Sequence, residues 1–198
     1  LDCALWDLRA KRTGIPASVA AGVATCRPTI TACTIGLGSI GDTRRRARNF
    51  AWAPLVKVKV DASRHVSRLR VVRSEAPDAR LVVDANQSWS LHLLRDLMPE
   101  LVELGVEMIE QPLKRGGDGD LYGFDSPIPL VADESCTDRE SLPDLVNRYQ
   151  GVNIKLDKCG GLTEAIAMSQ AARRLGLTRE RVQGRAVRHR RQALEQRA

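Results

Sequence analysis

The feature of this sequence that most limits its fold is a regular alternation of short apolar runs with helix-like stretches. The runs have the length of single strands and cover residues 29–37, 54–61, 80–86, 106–112, 129–135 and 151–158. Strands that alternate with helices indicate βαβ units and a parallel sheet. The runs are apolar on both faces, as is typical of strands covered by helices on both sides. We therefore expect either a (β/α) barrel or a doubly wound open sheet.

Each run from the second onward ends in one charged residue. These residues are Lys59, Asp84, Glu110, Asp133 and Lys155. Successive members are 22 to 26 residues apart, which is the spacing of successive βα units, so the charges recur at the same height of the sheet. In a barrel, the carboxyl ends of the strands meet at one mouth, where such enzymes have their active sites. The spacing therefore predicts a site in which two lysines flank three carboxylates.

Three carboxylates that meet in one site repel one another and need a cation. Because the expected ligands are all oxygens, with no His or Cys, the ion that fits best is Mg²⁺, with Mn²⁺ as an alternative. A lysine beside such an ion is suited to removing the proton next to a substrate carboxylate. The pattern thus predicts metal-assisted proton abstraction.

A second lysine lies in the second run. Lys57 and Lys59 are two residues apart, so on a strand they share one face, while Val56, Val58 and Val60 share the other. A lysine base near neutral pH needs a pKa of about 7–8 instead of ~10.4, a difference of about 4 kcal/mol. A second positive charge about 4 Å away supplies roughly that much at an effective dielectric constant of about 20. We therefore expect Lys57 to lower the pKa of Lys59.

Five motifs, KVKVD, VVDANQSW, IEQP, ADES and NIKLDKCGG, occur in the order and spacing of the enolase superfamily. The chain resembles the muconate-lactonizing subgroup of that superfamily. The resemblance implies a modified (β/α)7β barrel in which Asp84, Glu110 and Asp133 bind Mg²⁺. It also implies that Lys59 and Lys155 are acid/base residues on opposite faces of the substrate, with Lys57 assisting Lys59.

Within the subgroup, the segments TACTIGLGS and NIKLDKCGGLTEA are most similar to dipeptide epimerases of the L-Ala-D/L-Glu type. Such enzymes invert an α-carbon with two lysines, and the resemblance implies that Thr34 and Ile35 contact the substrate. N-acylamino-acid racemases, o-succinylbenzoate synthases and muconate cycloisomerases share the core motifs and stay open as alternatives. A different barrel enzyme that uses Lys59 or Lys155 as a Schiff-base nucleophile is a further alternative.

The resemblance covers residues 1–176. It implies an incomplete TIM-like barrel that lacks the N-terminal capping domain and the last strands, so we expect the chain alone to be inactive. Residues 177–198 contain seven arginines and no lysine, and we expect a basic tail that is non-native or disordered. The alternative from another functional class is an inactive remnant whose tail binds nucleic acid. The small net charge of the remaining residues disfavours nucleic acid as a partner.

Composition sets the broad class of the protein. Hydrophobic residues make up 43% and charged residues 28%, which is typical of a globular chain. No apolar run approaches the roughly 20 residues that span a membrane. The five cysteines form no CxxC pair, which favours reduced thiols over a disulfide framework. We therefore expect a cytoplasmic enzyme with a small-molecule carboxylate substrate and no membrane partner, and a homo-oligomer stays open.

Overall fold

A computed structural model describes residues 1–22, 28–63 and 65–177. Its sheet consists of β1 (Cys33–Ile35), β2 (Leu55–Lys59), β3 (Arg80–Asp84), β4 (Val106–Glu110), β5 (Leu130–Ala132) and β6 (Gly151–Val152). All neighbouring strands are parallel, and their order in the sheet is their order in the chain. A doubly wound sheet reverses its strand order part of the way along, whereas a barrel wall does not. Of the two expected architectures, the strand order is therefore that of the barrel. Six strands of the barrel lie within the described residues.

Helices connect the strands and cover the outside of the sheet. They are α1 (Asp2–Thr13), α2 (Ala17–Ala20), α3 (Ile40–Asn49), α4 (His65–Glu75), α5 (Leu91–Glu103), α6 (Leu142–Leu145), α7 (Leu156–Cys159) and α8 (Leu162–Arg174), with a 3₁₀ turn at Asp118–Leu121. The hydroxyls of Ser39 and Ser90 accept hydrogen bonds from first-turn N–H groups of α3 and α5, which is why these two helices begin where they do. In the part of the chain that the structure describes, no helix has the length and apolar character to cross a membrane.

The core lies between the sheet and the helices. Val56 and Val58 are fully buried on the helix side of β2, while Lys57 and Lys59 are only partly buried on the other side. Helix α5 contributes Leu94 to the same core. The alternation along β2 therefore directs both lysines to the face that becomes the inside of the barrel.

The last strand is shorter than the sequence predicts. Val152, Ile154 and Leu156 alternate as in a strand, but β6 ends at Val152. The chain then enters the one-turn helix α7, which is followed by Gly160 in the left-handed conformation. Lys155 consequently precedes a helix and does not end a strand. The first strand is also shorter, covering residues 33–35 of the predicted 29–37.

The residue that opens the predicted tail belongs to the folded body. Leu177 is buried in the core, and its N–H donates to the carbonyl of Ala172. The other residues of the predicted tail, 178–198, lie outside the described residues.

Helix α1 is joined to α8 by hydrogen bonds and has no buried residue of its own. The Asp2 carboxylate accepts hydrogen bonds from the Thr163 N–H (3.0 Å) and the Thr163 hydroxyl (2.6 Å), so it caps α8. The Trp6 indole N–H donates to the same hydroxyl at 2.8 Å. Gly161 has φ 145°, and a Cβ there would lie 2.5 Å from the Asp2 carboxylate, so this cap requires a glycine at 161.

Candidate active site

Three carboxylates lie together at the carboxyl ends of neighbouring strands. Asp84 and Glu110 are the last residues of β3 and β4 and are register partners. Asp133 directly follows β5, two residues beyond Val131, which is the register partner of Glu110. All three side chains are buried. The structure thus brings together the three acidic residues that the sequence singled out.

Lys57 joins two of these carboxylates. Its Nζ lies 2.8 Å from an oxygen of Asp84 and 2.8 Å from an oxygen of Glu110. Burial opposes the charged form of Lys57, but the hydrogen bonds to both carboxylates outweigh it and raise its pKa. Burial also raises the pKa of Glu110, against the effect of the Lys57 hydrogen bond. Lys57 is therefore a cation held between two buried anions.

Two further lysines hold the third carboxylate. Lys155 Nζ lies 2.5 Å from one oxygen of Asp133, and Lys158 Nζ lies 2.6 Å from the other. Lys158 also donates to the Asp133 carbonyl. Burial alone would raise the pKa of Asp133, but the hydrogen bonds from both lysines outweigh it and lower the pKa. Burial likewise opposes the charged form of Lys155, but its hydrogen bond with Asp133 outweighs burial and raises the pKa of Lys155.

Lys59 lies at the opposite end of this arrangement from Lys155. Its Nζ is 3.8 Å from an Asp84 oxygen, beyond hydrogen-bond distance, and its side chain is 39% exposed. The charge of Lys57 faces Asp84 and Glu110, each at 2.8 Å from its Nζ, so Lys57 pairs with these carboxylates. Lys59 and Lys155, at 39% and 40% exposed, are thus about equally accessible, and both are more accessible than Lys57, which is 17% exposed.

The two residues predicted to contact substrate point in opposite directions. Thr34 is in register with Lys57 and is exposed, so it lies on the face that carries the lysines. Ile35 is in register with Val58 and is fully buried. The structure therefore does not bring the Ile35 side chain to the site, because a shift of one residue along a strand reverses the face.

Sequence reasoning missed several residues at or beside the carboxylates. Asn153 donates from its amide to Glu110 at 3.0 Å, and Lys158 was not singled out although it follows Lys155 by three residues. Gln111, directly after Glu110, accepts hydrogen bonds from the backbone N–H groups of Asp133 (2.8 Å) and Ser135 (3.1 Å). The sequence signal that could have identified them is their position inside the IEQP and NIKLDKCGG motifs.

A buried arginine holds the loop that follows β1. Arg68 of α4 donates from Nη1 to the carbonyl of Gly38 (2.7 Å) and from Nη2 to the carbonyl of Gly36 (2.5 Å). The guanidinium is 1% exposed and burial lowers its pKa. Because this loop begins two residues after Thr34, Arg68 fixes the backbone next to Thr34.

The donor set fits a hard divalent cation. Among the residues that the structure describes, no three His, Cys, Asp or Glu side chains are arranged as a ready metal-ligand group. The carboxylate oxygens instead bind ammonium groups, and the Nζ of Lys57 stands between Asp84 and Glu110 where a shared cation is needed. Buried carboxylates that already share a positive charge are oxygen ligands of the kind that Mg²⁺ and Mn²⁺ prefer.

Comparison with known proteins matches residues 42–180 to the family model "Enolase C-terminal domain-like". The chain is 43% identical over 180 residues to an L-Ala-D/L-Glu epimerase of Escherichia coli K12, covering 90% of this chain and 56% of the relative. It is 41% identical over 176 residues to an N-acetyl-D-glutamate racemase of a Pseudoalteromonas species, covering 89% and 56%. The chain spans about half the length of these curated relatives, which are isomerases.

Solved structures give the same result. An enolase family member of Agrobacterium tumefaciens with homology to dipeptide epimerases, with bound sodium and L-Ala-L-Glu, matches with a TM-score of 0.85 at 42% identity over 89% of this chain and 54% of that one. A dipeptide epimerase of Enterococcus faecalis V583, complexed with Mg and L-Leu-L-Tyr, matches with a TM-score of 0.82 at 28% identity over 89% and 52%. These matches confirm the expected barrel fold.

Proposed function

The chain belongs to the enolase C-terminal domain-like family, and on this basis we propose that it supplies the proton-transfer part of a dipeptide epimerase. The reaction removes the proton from the carbon next to a carboxylate and returns a proton to the opposite face. Dipeptides of the L-Ala-D/L-Glu type are the proposed substrates. The observation that carries the proposal is the order of charges across the sheet, in which Lys59 and Lys155 lie on either side of three buried carboxylates.

Asp84, Glu110 and Asp133 are the residues that would hold Mg²⁺, or Mn²⁺ in its place. The bound ion would supply stabilisation of the negative charge that moves onto the substrate carboxylate when the α-proton leaves. Lys57 keeps the first two of these carboxylates in place through its two 2.8 Å contacts. Its role in the proposal is to orient ligands and not to accept the proton.

Lys59 and Lys155 are the proposed acid/base pair. Each acts through its Nζ, one removing the proton from one face and the other returning a proton on the opposite face. An amine accepts a proton only when it is neutral, and the ion pair with Asp133 favours the charged form of Lys155. Lys155 therefore has to leave Asp133 before it can act as the base.

The test places this chain in a complete relative. In a chimera, the chain replaces the matching 180 residues of the Escherichia coli epimerase, and proton NMR follows exchange of the glutamate α-proton of L-Ala-L-Glu and L-Ala-D-Glu in D₂O. We expect Lys59→Ala and Lys155→Ala each to end epimerisation but to retain exchange from one epimer, the opposite one in each case. Lys11→Ala is the control, because Lys11 is an exposed lysine of α1. A folded chimera that binds Mn²⁺ but exchanges neither epimer would refute the proposal, as would equal exchange of both epimers in either lysine variant.

Racemisation of N-acylated glutamate is the second candidate, favoured by the similarity to the Pseudoalteromonas racemase. It uses the same α-proton chemistry and therefore the same lysines. A second chimera built on that relative and assayed with N-acetyl-glutamate tests it. The chimera that retains the larger fraction of the kcat/KM of its parent enzyme identifies the better-matched substrate.

A further inference from the structure

Gln111 interrupts the regular pairing of β4 with β5. In a parallel pair, one residue donates its N–H and accepts with its carbonyl toward the same neighbouring strand. The N–H of Gln111 donates to the Val131 carbonyl at 2.9 Å, as expected. Its carbonyl, however, accepts from the N–H of Gln87 on the β3 side at 2.9 Å. The backbone turns in this way because Gln111 has φ 36°, a left-handed conformation that is uncommon outside glycine.

The side chain of Gln111 replaces the missing bond. The regular ladder would join the N–H of Asp133 to the Gln111 carbonyl, and the Gln111 side-chain oxygen accepts that N–H instead at 2.8 Å. The same oxygen accepts the N–H of Ser135 at 3.1 Å. One fully buried amide, directly after Glu110, therefore fixes the backbone that carries Asp133.

A buried polar network fixes the orientation of this amide. Its nitrogen lies 2.9 Å from the Ser135 hydroxyl, 3.0 Å from the Tyr149 hydroxyl and 2.9 Å from the Leu113 carbonyl. Both hydroxyls donate their own hydrogens to the buried Asp118 carboxylate, at 2.5 and 2.9 Å, so they can only accept from Gln111. The amide nitrogen must face the hydroxyls, and the amide oxygen must face the N–H groups of β5 and its following turn.

We infer that Gln111 is a positioning residue that sets Asp133 beside Glu110, so that the two carboxylates can bind one divalent cation. The inference rests on the proposed metal role of these carboxylates. Gln111 does not touch the cation in this scheme. It acts through the backbone of Asp133, and residues of this kind, one step removed from the ligands, typically change metal affinity by about 10–100-fold when replaced.

The test measures Mn²⁺ affinity of the 198-residue chain by electron paramagnetic resonance of free Mn²⁺. Gln111→Met is compared with Gln150→Met, because Gln150 also accepts a backbone N–H of β5, from Leu130 at 2.8 Å, but at the end of the strand remote from Asp133. We expect both variants to melt at lower temperature and only Gln111→Met to bind Mn²⁺ about 10–100-fold more weakly.

Equal Mn²⁺ affinity in Gln111→Met and the unmodified chain would overturn the inference, and so would an equal loss in both variants. If Gln111→Met does not fold, Ser135→Ala removes one acceptor of the amide and keeps the backbone. Its expected loss is severalfold, and unchanged affinity would then overturn the inference. Failure of the unmodified chain to bind Mn²⁺ would instead refute the proposed metal site and this inference with it.

Discussion

Replacing Lys57 by Met should expose how far the two carboxylates depend on its charge. The Lys57 ammonium lies 2.8 Å from both Asp84 and Glu110, and its side chain is 17% exposed. Removing one partner of a buried ion pair typically costs about 3–5 kcal/mol, because the remaining charge stays buried and uncompensated. Since Lys57 retains some contact with solvent, we expect the lower end, about 3 kcal/mol at pH 8 without metal. For a chain of this size that corresponds to a fall in Tm of roughly 6–12 °C.

The cost should depend on pH in a defined direction. Burial already raises the pKa of Glu110, and loss of the Lys57 hydrogen bond raises it further. A carboxyl group with a raised pKa in the folded state binds its proton more tightly there than in the unfolded chain. Stability is therefore lost as the pH rises from the unfolded pKa of about 4.3 through the raised folded value. The variant should be less destabilised at pH 5 than at pH 8.

Urea unfolding at both pH values, with and without 10 mM MgCl₂, measures these effects. Mg²⁺ should restore more stability to Lys57→Met than to the unmodified chain, since it can take the position of the missing charge. Lys59→Met is the matched control, because Lys59 lies on the same face of the same strand but 3.8 Å from Asp84, and it should cost less than about 1 kcal/mol. A loss below about 1 kcal/mol in Lys57→Met that is equal at pH 5 and pH 8 would refute the reasoning.

Three further expectations concern the metal, a thiol and a loop. Mg²⁺ should raise the Tm of the chain by mass action. Asp133→Asn should remove that shift in Tm and retain the circular dichroism spectrum. A Tm that does not change with Mg²⁺ would count against the metal site. Burial raises the pKa of Cys136 to about 11, so its protonated thiol stabilises the fold below pH ~8.5, and this stability is lost as the pH rises through about 11. Cys136→Ala should therefore weaken the alkaline loss of stability by about 3 kcal/mol, and identical pH profiles in urea unfolding would contradict this. Arg68→Met should lower the free energy of unfolding in urea by about 3 kcal/mol, because two loop carbonyls lose charged donors. Arg70→Met is the control, since it loses only an exposed ion pair with Glu100 and should cost less than about 1 kcal/mol. Equal costs would contradict the role of Arg68 in holding the loop after β1.

The sequence predicted the fold class and the meeting of the three carboxylates because both depend on regular spacing. Asp84 and Glu110 end strands that are in register, so one charge per βα unit is enough to place them side by side. Lys57 and Lys59 share a face because β2 is regular from Leu55 to Lys59. Periodicity carries this information wherever the backbone is regular.

The remaining parts of the candidate site depend on irregular backbone, which periodicity does not describe. Lys155 and Lys158 both reach Asp133 because α7 begins directly after Lys155, where the sequence still alternates like a strand. Gln111 reaches β5 through its side chain only because its own φ is positive. Ile35 follows Thr34 by one residue on β1, so its side chain faces the core and not the side that carries Lys57.

The cap that Asp2 places on α8 has a consequence for the order of folding. Its hydrogen bonds join residues 161 positions apart, so α1 leaves the ribosome long before its partner exists. At ~5–20 residues per second, Thr163 follows Asp2 by about 10–30 s. During that time α1 is a 12-residue helix with no buried side chain, a length at which an isolated helix is marginal in water. We therefore expect α1, although synthesised early, to dock last, once α8 is complete and Thr163 can bind Asp2.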